Sequence, residues 1–374
     1  MVRDVNSLAS TTGPVLIVGT GLLGASIGLG LRSLDVPVWL QDASPTAVAL
    51  ARDVGAGQIR GPEHTDPALV IIAAPPDVTA DLITAALREF SGAVVTDVAS
   101  VKGVLLEELR EVEGLDLRRY VGSHPMAGRE RSGAAAATSE LFAGRPWVIA
   151  AHPEVDPAAV RTVRHLAADL DASPVHLEPV EHDEAVALVS HLPQMMASLV
   201  AGRLVGAAPE ALALSGQGLR DVTRIAASDA RLWAAIITGN AAAVHDGLRA
   251  VRADLDEVIT ALERAATEGP LAEGAAGAVS ALIGAGNEGA GRIPGKHGGA
   301  RRHYVEVTVL VPDEPGELGR LFTEIGQIGV NIEDFAMEHS PKQKVGMAIV
   351  SVLPDAAGRL ERDLGDRGWR VVAP

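Results

Sequence analysis

The chain contains no cysteine, which excludes disulfides, thiolate metal sites and cysteine nucleophiles and fits a reducing compartment. Aromatic residues make up only 3% of its 374 positions, and no basic patch is interleaved with them. With a net charge of −16, nucleic acid is not an expected partner. An anionic substrate would have to be met by local positive groups acting against that overall field. No basic-then-apolar leader opens the sequence, and no apolar run reaches membrane-spanning length. A cytoplasmic location without a membrane partner is therefore expected. Lysine is scarce beside arginine, and we attach no function to that bias.

What is present describes packed domains. Apolar residues at 47% with 21% charged, over this length, predict two or three of them. The run Val15–Val18 reads as a strand buried on both faces and leads into Gly19-Thr20-Gly21-Leu22-Leu23-Gly24, followed by a helical pattern over 25–34. In GxGxxG the first glycine makes a tight turn, the second admits a pyrophosphate close to the backbone, and the third lets helix and strand pack. A second strand, 36–40, ends at Asp42, where an acid accepts ribose hydroxyls and repels a 2′-phosphate, favouring NAD over NADP.

Strand and helix patterns keep alternating to about residue 178. Strand 68–74 closes on Pro75, strand 93–96 on Asp97, and 120–122 is another; 147–151, helix 157–170 and 174–177 follow. The expected dinucleotide contacts are Gly19, Gly21, Leu22, Leu23, Gly24, Asp42, Ala74, Pro75 and Asp97. Just past strand 120–122 stands the loop-like stretch 121–133, VGSHPMAGRERSG. A histidine gives or takes a proton near neutral pH and a Pro/Gly frame fixes its aim, so His124 is the candidate acid/base group. Ser100, from the neighbouring loop, is expected to hydrogen-bond to it.

After Pro179 the pattern turns helical. Residues 181–205 form one long stretch interrupted at His191-Leu192-Pro193, and segments 219–227, 229–239 and 241–266 follow. Such an apolar helical region beside a Rossmann-type domain is expected to form a homodimer interface. We delimit a dinucleotide-binding domain at 1–178, a helical substrate and dimerisation domain at 179–285, a Gly/Ala-rich linker at 286–302 and a small α+β unit at 303–374. The composition reads as linker from 267 on, although 276–282 can prolong a helix. The last unit has the order βαββαβ, with strands at 305–311, from 329, at 346–352 and at 369–372.

Several segments carry a family resemblance: GTGLLGAS (19–26), TDVASVKG (96–103), GSHPMAGRERSG (122–133), SHLPQ (190–194) and DVTRIAASDARLW (221–233). In these the chain resembles the prephenate and arogenate dehydrogenases of tyrosine biosynthesis. DEPGEL (313–318) and the NI pair (331–332) resemble an ACT domain. The resemblance implies NAD⁺-dependent oxidative decarboxylation of prephenate to 4-hydroxyphenylpyruvate, with no metal. In it His124 draws the proton from the ring C4 hydroxyl and Ser100 orients both groups. Arg224 grips the side-chain carboxylate, with Arg220 one helical turn earlier as its rival, and Glu130, His191, Ser228 and Trp233 stand around the substrate. Tyrosine is the implied effector, near Asp313, Pro315, Gly316 and Asn331.

The sequence departs from the family pattern in three places. Gln194 stands where many members carry a second histidine, Ala230 replaces a common proline, and Arg129 fills a position often small and polar. Prephenate and arogenate both stay open. The competing readings are a hydroxyacid or imine reductase, which would place a catalytic lysine or asparagine on the helical domain, and a non-catalytic NAD-binding amino-acid sensor. No lysine occurs on that domain.

Overall fold

The computed structural model describes residues 9–128, 133–294, 304–339 and 345–372. It divides into two compact units, 1–251 and 252–374. In the first, the strands are β1 (Val15–Val18), β2 (Val38–Gln41), β3 (Gln58–Ile59), β4 (Leu69–Ile72), β5 (Val94–Asp97), β6 (Tyr120–Pro125), β7 (Pro146–Ala150) and β8 (Ser173–Leu177). Between them run α1 (Leu22–Arg32), α2 (Pro45–Asp53), α3 (Pro76–Glu89), α4 (Gly103–Glu111) and α5 (Pro157–Asp169). The sheet order is β3-β2-β1-β4-β5-β6-β7-β8.

β1 and β4 are buried at every position, as apolar runs covered on both faces must be. Val15 and Ile17 face one layer, packed with Ile27, Val163, Leu166 and Phe142; Leu16 and Val18 face the other, with Ile83, Leu87 and Leu109. Strand order reverses at the parallel β1–β4 pair, and a doubly wound sheet opens its ligand crevice at such a point, beyond the strands' carboxyl ends.

Two expectations about this unit are corrected. His124 belongs to a strand, not to a loop after it: β7 runs antiparallel to β6 and extends the pairing through His124↔Val148 and Pro125↔Trp147. The 181–205 stretch is interrupted as expected, by a widened turn that ends at His191 without ending the helix. It runs as α6 (Pro179–Val186), a π turn (Ala187–His191) and α7 (Leu192–Gly202). Proline lacks the N–H that an α-helical turn needs, and the widened turn before it accommodates that loss without ending the helix. Residues 179–202 are, by length and composition, apolar enough to cross a membrane, against the expectation that no such run exists. Here they carry His182, Asp183 and His191 into contact with the unit's other elements.

α8 (Pro209–Leu212), α9 (Gln217–Thr223), a 3₁₀ turn at 224–226, α10 (Ala230–Gly239) and α11 (Ala241–Glu268) complete the helical region. Residues 275–291, expected as linker apart from a short helical prolongation, form the 17-residue α12 (Ala275–Gly291).

The second unit's sheet comprises β9 (Val305–Pro312), β10 (Asp334–His339), β11 (Val345–Val352) and β12 (Arg370–Val372), ordered β10-β11-β9-β12 and antiparallel throughout. α13 (Glu317–Ile328) and α14 (Pro354–Asp366) cover one face, where Leu321, Ile325, Leu360 and Leu364 pack on Val307, Val309, Ala348 and Val350. The second strand starts at Asp334 rather than at 329, because Gly329 ends α13 at φ +75° and the next residues form a connection. Asn331 therefore lies past the far end of α13 from the 313–318 turn, about 18 Å away at 1.5 Å per residue. The two do not line one pocket within a single chain.

Candidate active site

The glycines of the β1–α1 turn separate by task. Gly19 has φ +96°, and a Cβ there would stand 2.3 Å from the Ala73 carbonyl oxygen. One on Gly24 would stand 2.0 Å from the Gly19 carbonyl oxygen. At Gly21 a Cβ would meet nothing within 4 Å, so the space before the α1 N-terminus stays open, as a pyrophosphate requires. Leu22 and Leu23 begin α1 and are half-buried. Asp42 anchors this turn: Oδ2 accepts from Thr20 N at 2.6 Å and Thr20 Oγ1 at 2.8 Å, and Oδ1 from Ser44 N at 2.8 Å. A carboxylate oxygen accepts two hydrogen bonds, so Oδ1 retains one site for a ribose hydroxyl. Ala74 is half-buried, and Pro75 caps α3 and receives the Thr79 hydroxyl at 2.8 Å.

Asp97 departs from its expected role. It is fully buried and its carboxylate faces inward, accepting from Tyr120 OH at 2.8 Å, from Ala99 N at 2.8 Å and from the ammonium of Lys102. That carboxylate is not available to a dinucleotide. It balances a lysine which is itself 2% exposed.

His124 stands beside this pair. Its Nδ1 lies 2.9 Å from His182 Nε2, and His182 Nδ1 lies 2.8 Å from Asp183 Oδ1. Asp183 also accepts from Lys102 N at 2.9 Å and Gly103 N at 2.7 Å, the start of α4, where helix-end amides favour a negative charge. The order of bonds assigns the protons. A carboxylate only accepts, so His182 donates from Nδ1 and presents a lone pair at Nε2; His124 then donates from Nδ1 and keeps a lone pair on Nε2. Burial pushes His124 well below the usual histidine range, and the neighbouring His182, Lys102 and His191 push the same way. His182 is lowered too, by burial against the opposing pull of Asp183. The site holds a neutral, oriented base.

The expected His124–Ser100 hydrogen bond is absent. His182 occupies His124 Nδ1, and Ser100, half-buried, makes no hydrogen bond among the described residues. His191 does join the cluster: it is 1% exposed, its Nδ1 meets the Asn240 amide at 3.2 Å, and Trp233 packs edge-on at 6.2 Å. Burial lowers its pKa to about 4. Gln194 is buried one turn further along α7 and donates to Ser198 Oγ at 3.3 Å. Arg224 opens the 3₁₀ turn and is exposed, as is Arg220 on α9. Ser228 is turned back on that turn, its hydroxyl donating to the Ile225 carbonyl at 2.6 Å. Glu130 and Arg129 lie outside the described residues.

Sequence reasoning missed His182, Asp183, Lys102 and Asn240 as site residues. Lys102 was within reach, since a lysine at the end of a buried strand–loop segment needs a carboxylate close by. The others carry no local signal.

Residues 27–176 match the family profile described as prephenate dehydrogenase, nucleotide-binding domain, and residues 178–274 that described as prephenate dehydrogenase, dimerization domain. A Streptomyces niveus protein named "Probable prephenate dehydrogenase NovF" is 36% identical over 357 residues, covering 95% of this chain and 98% of that one. A Lactococcus lactis prephenate dehydrogenase is 27% identical, covering 82% of this chain and 84% of its own length. The crystal structure of Aquifex aeolicus prephenate dehydrogenase with hydroxyphenyl propionate and NAD⁺ superposes with a TM-score of 0.64 at 26% identity, over 76% of this chain and 99% of that one.

Proposed function

The chain belongs to the prephenate dehydrogenase family and is an NAD-dependent dehydrogenase, and from that premise we propose how its residues act on prephenate. The observation that carries the proposal is the ordered chain Asp183–His182–His124, which leaves one basic nitrogen, His124 Nε2, without a partner among the described residues. The open space at Gly21 and the α1 N-terminus fit the cofactor's pyrophosphate, with Asp42 at the ribose. Bound NAD⁺ supplies the acceptor for the two electrons that leave ring C4.

His124 Nε2 accepts the proton of the C4 hydroxyl as the carbonyl forms there. The positive charge this creates is shared along the chain: the Nδ1 proton moves toward His182 Nε2, and the His182 Nδ1 proton leans on Asp183. Loss of the ring carboxylate as CO₂ then leaves its bonding electrons in the ring as an aromatic phenolate, which takes the proton back from His124 to give 4-hydroxyphenylpyruvate. Aromatisation makes the step favourable, so the protein needs positioning and one base. Arg224 pairs with the side-chain carboxylate, while Ser100 holds the hydroxyl. Steady-state turnover with prephenate and, in parallel, arogenate tests the substrate; product only from arogenate would keep the chemistry and transfer the selectivity question to Gln194.

The domain limits proposed are 1–178, 179–285 and 303–374, the last an ACT-type regulatory unit. Dimerisation through the helical region is supported by the profile matched at 178–274 and by exposed apolar side chains on its helices, among them Leu188, Val189, Leu199 and Leu232. Tyrosine is the proposed effector. Because α13 separates Asn331 from Asp313, Pro315 and Gly316, an amino acid touching both must bridge two copies of the unit.

A further inference from the structure

Asn240 sits at the corner between α10 and α11 and is 5% exposed, although its side chain is polar at both ends. Its amide nitrogen lies 2.7 Å from the backbone carbonyl of Asp183 and 3.2 Å from His191 Nδ1. The first contact fixes the orientation of the amide. A backbone carbonyl only accepts, so the atom facing it is the NH₂ and not the oxygen. The second proton of that NH₂ then points at His191 Nδ1, which must offer a lone pair. A neutral imidazole carries one N–H, and in His191 it is therefore on Nε2. Edge-on packing against Trp233 at 85° holds the ring plane, and Nε2 has no partner among the described residues.

We propose that Asn240 is a positioning residue of the active site: it locks His191 in the Nε2–H tautomer, so that His191 donates a hydrogen bond to the bound substrate. The cluster thus presents two histidines of opposite sense, an acceptor at His124 and a donor at His191. A donor beside a base suits a ligand that must give up one proton while keeping an anionic oxygen in place. The identity of that ligand rests on the reading above, whereas the tautomer rests on the bonds alone. A merely structural part for Asn240 is already met by its backbone, whose carbonyl accepts from Val244 N at 3.1 Å and starts α11.

The test is long-range ¹H–¹⁵N correlation of the histidine rings in the full-length protein at neutral pH. His191 signals are assigned by their loss in His191→Gln. The wild-type ring should show a protonated Nε2 and a bare Nδ1. In Asn240→Asp the new carboxylate can only accept, so His191 should move its proton to Nδ1, leaving Nε2 bare. The Michaelis constant for prephenate should then rise roughly 10–100-fold, the range for losing a hydrogen bond to a charged group. Asn240→Ala should leave a mixture of tautomers, with NAD⁺ affinity retained. A wild-type His191 protonated on Nδ1 would overturn the proposal without any variant, as would an unchanged Nε2–H form in both substitutions. Failure of prephenate turnover, with the tautomers as predicted, would count against the substrate and not against Asn240.

Discussion

At the scale of single residues, the Asp183–His182–His124 chain settles the proton inventory of the proposed base before substrate arrives. His124→Asn keeps a polar group of similar size but no basic nitrogen, and turnover should fall ~10²–10⁴-fold with substrate affinity nearly kept; unchanged turnover would refute the role. His182→Phe preserves burial and removes the acceptor for His124 Nδ1–H. Its expected signature is a loss in turnover of roughly 10-fold or more with little change in KM. If it instead raised only KM, His182 would be lining the pocket and not sharing charge. Arg224→Ala should mainly raise KM, a result that Arg220→Ala should not reproduce.

His124 was legible in the sequence because its loop-like neighbours made it distinctive. His182 was not, since it meets His124 across 58 residues of chain and stands in an unremarkable Glu181-His182-Asp183 run. Asp97 misled for a related reason: a strand-end acid looks the same whether it faces a cofactor or a buried lysine, and only the burial of Lys102 decides.

Elements show which parts of a pattern are geometry and which are ligand. Gly24→Ala forces a Cβ against the Gly19 carbonyl and should lower the melting temperature markedly. Gly21 has φ −69° and open space, so Gly21→Ala should fold normally and weaken NAD⁺ alone. Calorimetry with an NAD⁺ titration separates the two; equal effects on stability would mean the turn is packed differently.

The strand–helix alternation and its GxGxxG turn were readable because apolar runs and glycines are local signals. Three features were not. The antiparallel β7 that carries His124 into a strand depends on Val148, a partner 24 residues later. The π turn is a response to Pro193 that helical periodicity does not encode. In α12, glycines suggested a tether, yet the segment folds as a helix with Leu282 and Ile283 exposed.

For the whole molecule, three buried histidines tie stability to pH. His124, His182 and His191 are each held below the usual histidine value, chiefly by burial, with His191 at about 4. In the unfolded chain they protonate near ~6.5, so below that pH the unfolded state binds protons that the folded state refuses. Their contribution is complete above ~6.5 and is lost as pH falls toward about 4. Melting temperature should therefore drop across that interval, and His191→Gln should flatten the slope; a flat wild-type profile would mean the cluster is not buried in solution. The regulatory reading is tested at the same scale: a chain ending at residue 300 should lose tyrosine inhibition while retaining turnover, and persistent full inhibition would place the effector elsewhere.

The most direct measurement is NADH absorbance on mixing the full-length protein with NAD⁺ and prephenate, with CO₂ collected in parallel. One NADH and one CO₂ per prephenate, abolished in His124→Asn, is the predicted result. A folded protein that binds NAD⁺ and releases neither product from prephenate would contradict the account.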